Sequence, residues 1–128
     1  MTLDASALIA ILQSESGAMD LVDRILEADV VRIGTPTLVE TAIVLAHKRQ
    51  RSTLADVTAL IDELGITVVP FGVEHWEAAA SAFERFGRGR HKASLNFGDC
   101  MTYATAAVAG DSLLFLGHDF SKTDIKPA

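Results

Sequence analysis

"DVVRIGTPTLVETAIVLAHKRQ", residues 29–50, holds both halves of the unit from which this chain is built. Val30, Val31 and Ile33 make a short, β-branched run that reads as a buried strand. Thr35 then stands as a helix cap, with Pro36 at the first helical position, where a missing N–H costs nothing. The apolar residues that follow suit a helix, and the segment closes on His47, Lys48 and Arg49, cations favourable to a helix C-terminus. A strand delivered directly into a helix is half of a parallel crossover unit.

The rest of the chain repeats that unit. Upstream, "MTLD" (1–4) reads as a brief strand ending at Asp4 and leading into a helix over "ASALIAILQ" (5–13), with another helix over 17–28. Downstream come a helix from Thr53 to Leu64 stopped by Gly65, a strand "ITVVPF" (66–71) and an alanine-rich helix over 73–86. Glycine and like charges make "GRGRHKASLN" (87–96) a loop before a helix at "FGDCMTYATAAV" (97–108). "SLLFLG" (112–117) is a final strand, and "TDIKP" (123–127) is expected to add a short edge strand. The pattern predicts an α/β fold: a three-layer α/β/α sandwich around a mostly parallel sheet of four to five strands, as one domain over residues 1–128.

Composition narrows the function. A hydrophobic content of 49% suffices for a packed core, and Cys100, the only cysteine, excludes an internal disulfide and suits a reducing cytoplasm. The histidines at 47, 75, 91 and 118 are scattered, so no zinc-ligand spacing is present. No run reaches transmembrane length, and Asp4 with no preceding Lys or Arg argues against a signal peptide, so the chain is expected to be soluble and mature as written. A net charge of −6 argues against coating nucleic acid through overall charge, yet seven of the eleven Lys and Arg residues fall in "HKRQR" (47–51) and "RFGRGRHK" (85–92).

Ligands of open parallel sheets gather at the carboxyl ends of the strands. Asp4, Glu40 and Asp119 each follow a strand closely and are expected to converge there. Asp99 is harder to place: a helix leading into the last strand is expected to start at the opposite edge, so convergence requires the 87–96 loop to carry the chain back across the sheet end or a helix that runs differently from the simple crossover. Each acid also has an ordinary role. Asp4 can cap the helix beginning at Ala5, Asp99 can close a capping box with Asn96, Glu40 one with Thr37, and Asp119 can be a turn residue. Gathered together, however, such carboxylates repel one another unless a cation neutralises them. Mg²⁺ or Mn²⁺, hard ions that take oxygen ligands and retain water, are the natural partners, and phosphodiester hydrolysis is the chemistry such a site favours.

"LDASALIAIL" (3–12), "TPTLVETAIVL" (35–45), "GRGRHKASLNFGDCMTYATA" (87–106) and "LLFLGHDFSKTDI" (113–125), in this order and spacing, resemble the PIN-domain ribonucleases of the VapC toxin type. The resemblance spans nearly the whole chain and is most specific in "LNFGDCMTYA" (95–104) and the basic loop before it. It implies a Mg²⁺-dependent endoribonuclease, with Mn²⁺ as a possible substitute, in which Asp4, Glu40 and Asp99 form the acidic core and Asp4 and Asp99 ligate the metal most directly. It further implies the toxin half of a toxin–antitoxin pair, inhibited by a VapB-type antitoxin that covers the active-site groove. Structured RNA such as tRNA is among the substrates of related enzymes.

Many PIN domains carry a fourth acid immediately after the last strand, where this chain has Gly117. Asp119 is assigned that role, with Asp124 as the other candidate, and Ser6 is a candidate supporting residue beside Asp4. Arg85, Arg88, Arg90 and Lys92 are candidates for pairing with RNA phosphates, whereas Lys48, Arg49 and Arg51 are better explained by the helix dipole. Trp76 is expected to be partly buried, and Cys100 to be a small buried residue rather than a nucleophile. The apolar "LVETAIVLA" (38–46) has more faces than one core can use, which suggests a homodimer contact. Two other classes compete: a catalytically silent PIN-like interaction module, and a Mg²⁺-dependent phosphoacceptor domain, disfavoured because the strand "ITVVPF" ends without an acid.

Overall fold

The computed structural model describes residues 1–49 and 54–128, without the side chains of Lys48 and Arg49. The expectations for Lys48, Arg49 and Arg51 therefore lie outside the described residues. The order of elements is β1 (Thr2–Leu3), α1 (Ala5–Leu12), α2 (Ala18–Leu26), β2 (Arg32–Gly34), α3 (Thr35–Arg49), α4 (Leu54–Glu63), β3 (Thr67–Val69), α5 (Val73–Phe86), α6 (Phe97–Ala109) and β4 (Leu113–Leu114). The strands form one parallel sheet in the order β3-β2-β1-β4, with Thr2 opposite both Arg32 and Leu113, and Ile33 opposite Val68.

Alternation along β4 shows how both faces are covered. Leu113 packs among residues of α5 and α6, including Ala82, Phe86 and Tyr103, while Leu114 packs among Leu8, Leu21 and Ile25 of α1 and α2. Successive side chains of a strand point to opposite faces, so the two apolar clusters lie on opposite sides of the sheet. The α/β architecture read from the sequence is the one observed. The sheet has four of the expected four to five strands: among the described residues, 123–127 contribute an isolated pairing of Leu113 with Pro127 in place of an edge strand.

The expected position of α6 needs correction. A strand is entered from its amino end, so the helix that feeds it must finish there and start at the carboxyl edge. Gly110, at φ 68, caps α6 in the left-handed region, and Asp111 N–H returns to the Ala106 carbonyl at 2.9 Å. At that amino edge the Asp111 carboxylate accepts from Thr2 Oγ1 at 2.9 Å and from Arg32 Nη1 at 3.0 Å, pinning α6, β1 and β2 together. The amino end of α6 is thereby delivered to the carboxyl edge. The 87–96 loop does not carry the chain across the sheet: its ends are bonded to each other, Arg88 N–H to the Leu95 carbonyl and Leu95 N–H to the Phe86 carbonyl, both at 3.0 Å.

Candidate active site

Asp4 ends β1 and caps α1. Its Oδ2 accepts from Ser6 N–H at 3.0 Å and from the Ser6 hydroxyl at 2.5 Å, and Ser6 Oγ in turn accepts from Leu116 N–H at 3.0 Å. Ser6 thus ties the Asp4 carboxylate to the chain leaving β4. Asp4 is only 8% exposed.

Asp99 completes a capping box with Asn96: Asn96 N–H donates to Asp99 Oδ2 at 2.8 Å, and Asp99 N–H donates to Asn96 Oδ1 at 2.9 Å. The capping roles foreseen for Asp4 and Asp99 are therefore real, but each uses one oxygen. Among the described residues, no hydrogen bond engages Oδ1 of either Asp4 or Asp99. A carboxylate can serve a helix with one oxygen and a ligand with the other.

Three juxtapositions between the β2–α3 segment and α6 bring Glu40 beside Asp99. A Cβ built on Gly34 would lie 2.5 Å from Thr105 Oγ1. Next, Thr37 Oγ1 and Thr102 Oγ1, both buried, share a hydrogen bond at 2.9 Å. Last, a Cβ built on Gly98 would lie 2.5 Å from Glu40 Oε2. The chain rises along α3 as it descends along α6, so the helices pass in opposite directions with small residues between them. Thr37 stands three residues before Glu40 and Thr102 three after Asp99, the spacing that shares a helix face. That periodic pairing of threonines with acids was the available signal for two supporting residues the sequence reading missed.

The carboxylates feel one another. Burial raises the Glu40 carboxyl above its ordinary value, and the charges of Asp4 and Asp99 raise it further. Burial is also the main cause of the Asp99 value of about 6; Asp4 and Asp119 push it up, while the Asn96 N–H and Arg88 oppose the rise. Asp119 is exposed and precedes a 3-10 helix at Phe120–Lys122. Asp124 belongs elsewhere: Tyr103 donates to it at 2.7 Å and Arg85 at 2.5 Å, and these bonds lower its carboxyl. Asp119, not Asp124, is thus the acid that acts on Asp99.

The basic loop divides in the same way. Arg85 is committed to Asp124 and lies over the Phe86 ring, so of the four candidates it is the one already paired. Arg88 is exposed and close enough to favour ionised Asp99. Arg90 is exposed above the Phe83 ring and Lys92 is exposed. Cys100 is buried with its thiol pushed up to about 11 by burial and the Asp99 charge, which fits a packing residue. Trp76 departs from expectation: it is 57% exposed and, with Phe83, Phe97 and Met101, lines an apolar groove of about 590 Å³ between α5 and α6.

Among the described residues, no three ligating side chains are gathered closely enough to form a closed metal cage. The donor set nevertheless fits a hard divalent ion: such an ion is characteristically held by one or two carboxylates, with water and phosphate completing its shell. Asp4 and Asp99 each have an oxygen that no described hydrogen bond uses, and Glu40 and Asp99 have raised proton affinities that a cation would reverse.

The PIN domain family model matches residues 1–126. The chain is 41% identical over 127 residues to Ribonuclease VapC36 of Mycobacterium tuberculosis, covering 98% of this chain and 91% of that protein. It is 36% identical to Ribonuclease VapC of Mycolicibacterium smegmatis, covering 98% and 97% respectively. Among solved structures, VapC20 of M. tuberculosis, described as a Sarcin-Ricin loop cleaving toxin, superposes with a TM-score of 0.75 at 17% identity and 98% coverage of both chains. A toxin–antitoxin complex from Klebsiella pneumoniae superposes with a TM-score of 0.72 at 16% identity, covering 96% of this chain and 92% of that one.

Proposed function

This chain belongs to the PIN-domain family, and from that premise we propose that Asp4, Glu40, Asp99 and Asp119 form the active site of an endoribonuclease. The chain is a ribonuclease of the VapC type, the toxin of a toxin–antitoxin system. The observation that supports this site is that the charges of Asp4 and Asp99 raise the Glu40 carboxyl and those of Asp4 and Asp119 raise that of Asp99, so that carboxylates from separate segments act on one another at one edge of the sheet.

Asp4 and Asp99 are assigned to hold Mg²⁺, or Mn²⁺ in its place, through their Oδ1 atoms. When bound, the ion supplies an acidified water and positive charge against the scissile phosphate. Ser6 and Asn96 fix the two carboxylates so that little reorganisation is needed. Glu40, whose carboxylate lies against Gly98 next to Asp99, is the group placed to receive the proton of the attacking water. Asp119 approaches from the exposed side, and Arg88 pairs with a phosphate flanking the cut. The partners follow: RNA, structured species such as tRNA included; a VapB-type antitoxin; and a second copy of this chain, for which exposed Val39 and Ile43 on α3 offer an apolar contact. No described helix is long and apolar enough to cross a membrane, and a cytoplasmic location accords with the free, buried Cys100.

The test is cleavage of a mixed small-RNA pool by antitoxin-free protein across a Mg²⁺ titration, beside Asp4→Asn and Asp99→Asn, with product ends mapped. Cuts that require the ion and disappear in both variants are expected. Cleavage retained by the variants would overturn the site; absence of both cleavage and metal binding would favour a silent interaction module.

A further inference from the structure

Gly98 occupies the first turn of α6, between Phe97 and Asp99, where a glycine is a poor helix former. It has no left-handed backbone to justify it: Gly98 is not among the glycines with positive φ. Its neighbours supply the reason. A Cβ built there would lie 2.5 Å from Glu40 Oε2, 2.8 Å from Glu40 Cδ and 2.8 Å from Glu40 Oε1, so the three nearest atoms are all one carboxylate. Distances of this kind are shorter than carbon and oxygen tolerate without bonding. An alanine methyl and the Glu40 carboxylate cannot both occupy that space.

The consequence is selective because of what would move. The threatened atoms end a flexible side chain on α3, so the helices need not separate. Glu40 would swing away from Asp4 and Asp99, the two acids whose charges it feels.

We propose that Gly98 is a positioning residue for Glu40: its missing side chain is the space in which the Glu40 carboxylate is held beside Asp4 and Asp99. The inference rests on the assignment of Glu40 to the acid site, and the experiment separates the two.

Gly98→Ala, Glu40→Asp and their combination are compared with the parent protein in RNA cleavage, Mn²⁺ calorimetry, urea unfolding without metal, and metal-free crystal structures. In Gly98→Ala the urea midpoint is expected to hold or rise, the carboxylate to be displaced by about 1 Å or more, and kcat/KM to fall about ten- to a hundredfold, the scale of a misplacement of that size. Mn²⁺ affinity falls with it. Glu40→Asp, one methylene shorter, leaves room for the methyl, so the double variant is expected to cleave better than the product of the single losses. An unmoved carboxylate, or the same Gly98→Ala loss in a Glu40→Gln background, overturns the role of Gly98. A displaced carboxylate with cleavage and Mn²⁺ binding intact overturns instead the place of Glu40 in the site. Should Gly98→Ala fail to fold, Gly98→Ala/Glu40→Ala must fold, since the clashing group is gone; failure of both overturns the proposal.

Discussion

Asp99→Asn separates the two roles that this residue combines, because they predict opposite effects on stability. The capping box survives the change: the amide oxygen of the new side chain can still accept from Asn96 N–H, as Asp99 Oδ2 does at 2.8 Å. What disappears is a charge held among other acids. The unfolded chain releases this proton near the ordinary value and the folded protein only near 6, so between those values the folded state binds more protons and stability falls as pH rises. Raising the carboxyl from 3.8 to about 6 costs the fold about 3 kcal/mol at pH 7.5, at roughly 1.4 kcal/mol per tenfold change in proton affinity. The same linkage gives about half that cost at pH 5 and almost none at pH 3. Loss of the carboxylate's attraction to the helix dipole offsets about 0.3–1 kcal/mol of the gain. Allowing for partial solvent access, the net gain expected for Asp99→Asn at pH 7.5 is about 1–2 kcal/mol, a rise of roughly 0.5–1.5 M in the urea midpoint. Unfolding is measured in urea at pH 3, 5 and 7.5 with chelator present, alongside RNA cleavage with Mg²⁺. A variant that is more stable at pH 7.5, loses that advantage toward pH 3 and no longer cuts RNA fits an acid held for chemistry. A variant destabilised at every pH would refute the reasoning, since a purely capping carboxylate gives that result.

Thr37→Val leaves the Thr102 hydroxyl buried without its partner at 2.9 Å, so a loss of about 1–3 kcal/mol is expected in urea unfolding. Adding Thr102→Val recovers part of it; strictly additive losses would refute the pairing. Arg88→Ala is expected to raise KM for RNA and flatten its salt dependence, whereas Arg85→Ala, which removes a group paired with Asp124, leaves both near the parent values. Equal effects from the two arginines would contradict that division. Cys100→Ala is expected to cleave RNA normally, and the parent thiol, at about 11, to resist iodoacetamide at pH 7.5; rapid alkylation of folded protein or a large loss of activity would count against a packing role.

Local physics makes much of this fold legible in the sequence. Pro36 after Thr35, apolar runs too short for helices and the glycine at 65 are instructions read within a few residues, and they suffice for alternating strands and helices. Asp4 and Asp99 can be singled out because each stands at a helix start, where capping and ligation make overlapping demands on a carboxylate. The expectation that failed nearest the site concerned the start of α6, and it failed on direction: helix periodicity has no sign relative to the sheet, which comes from the strand the helix feeds.

Other outcomes depend on groups distant in sequence. Asp119 and Asp124 are chemically alike and close together in the chain, and their fates diverge because Tyr103 and Arg85 capture one while the other acts on Asp99. Trp76 is exposed because the groove between α5 and α6 has no further element of the described chain to fill it. By itself, then, the sequence determined the α/β alternation, the acids available at strand and helix ends, and the family's chemistry, since these are written in local propensity and motif. Tertiary structure alone decided that Asp119 and not Asp124 lies with Asp99, which arginines are already paired, and that Gly98 leaves its space to Glu40. Those facts are distances between segments, and no spacing along the chain contains them.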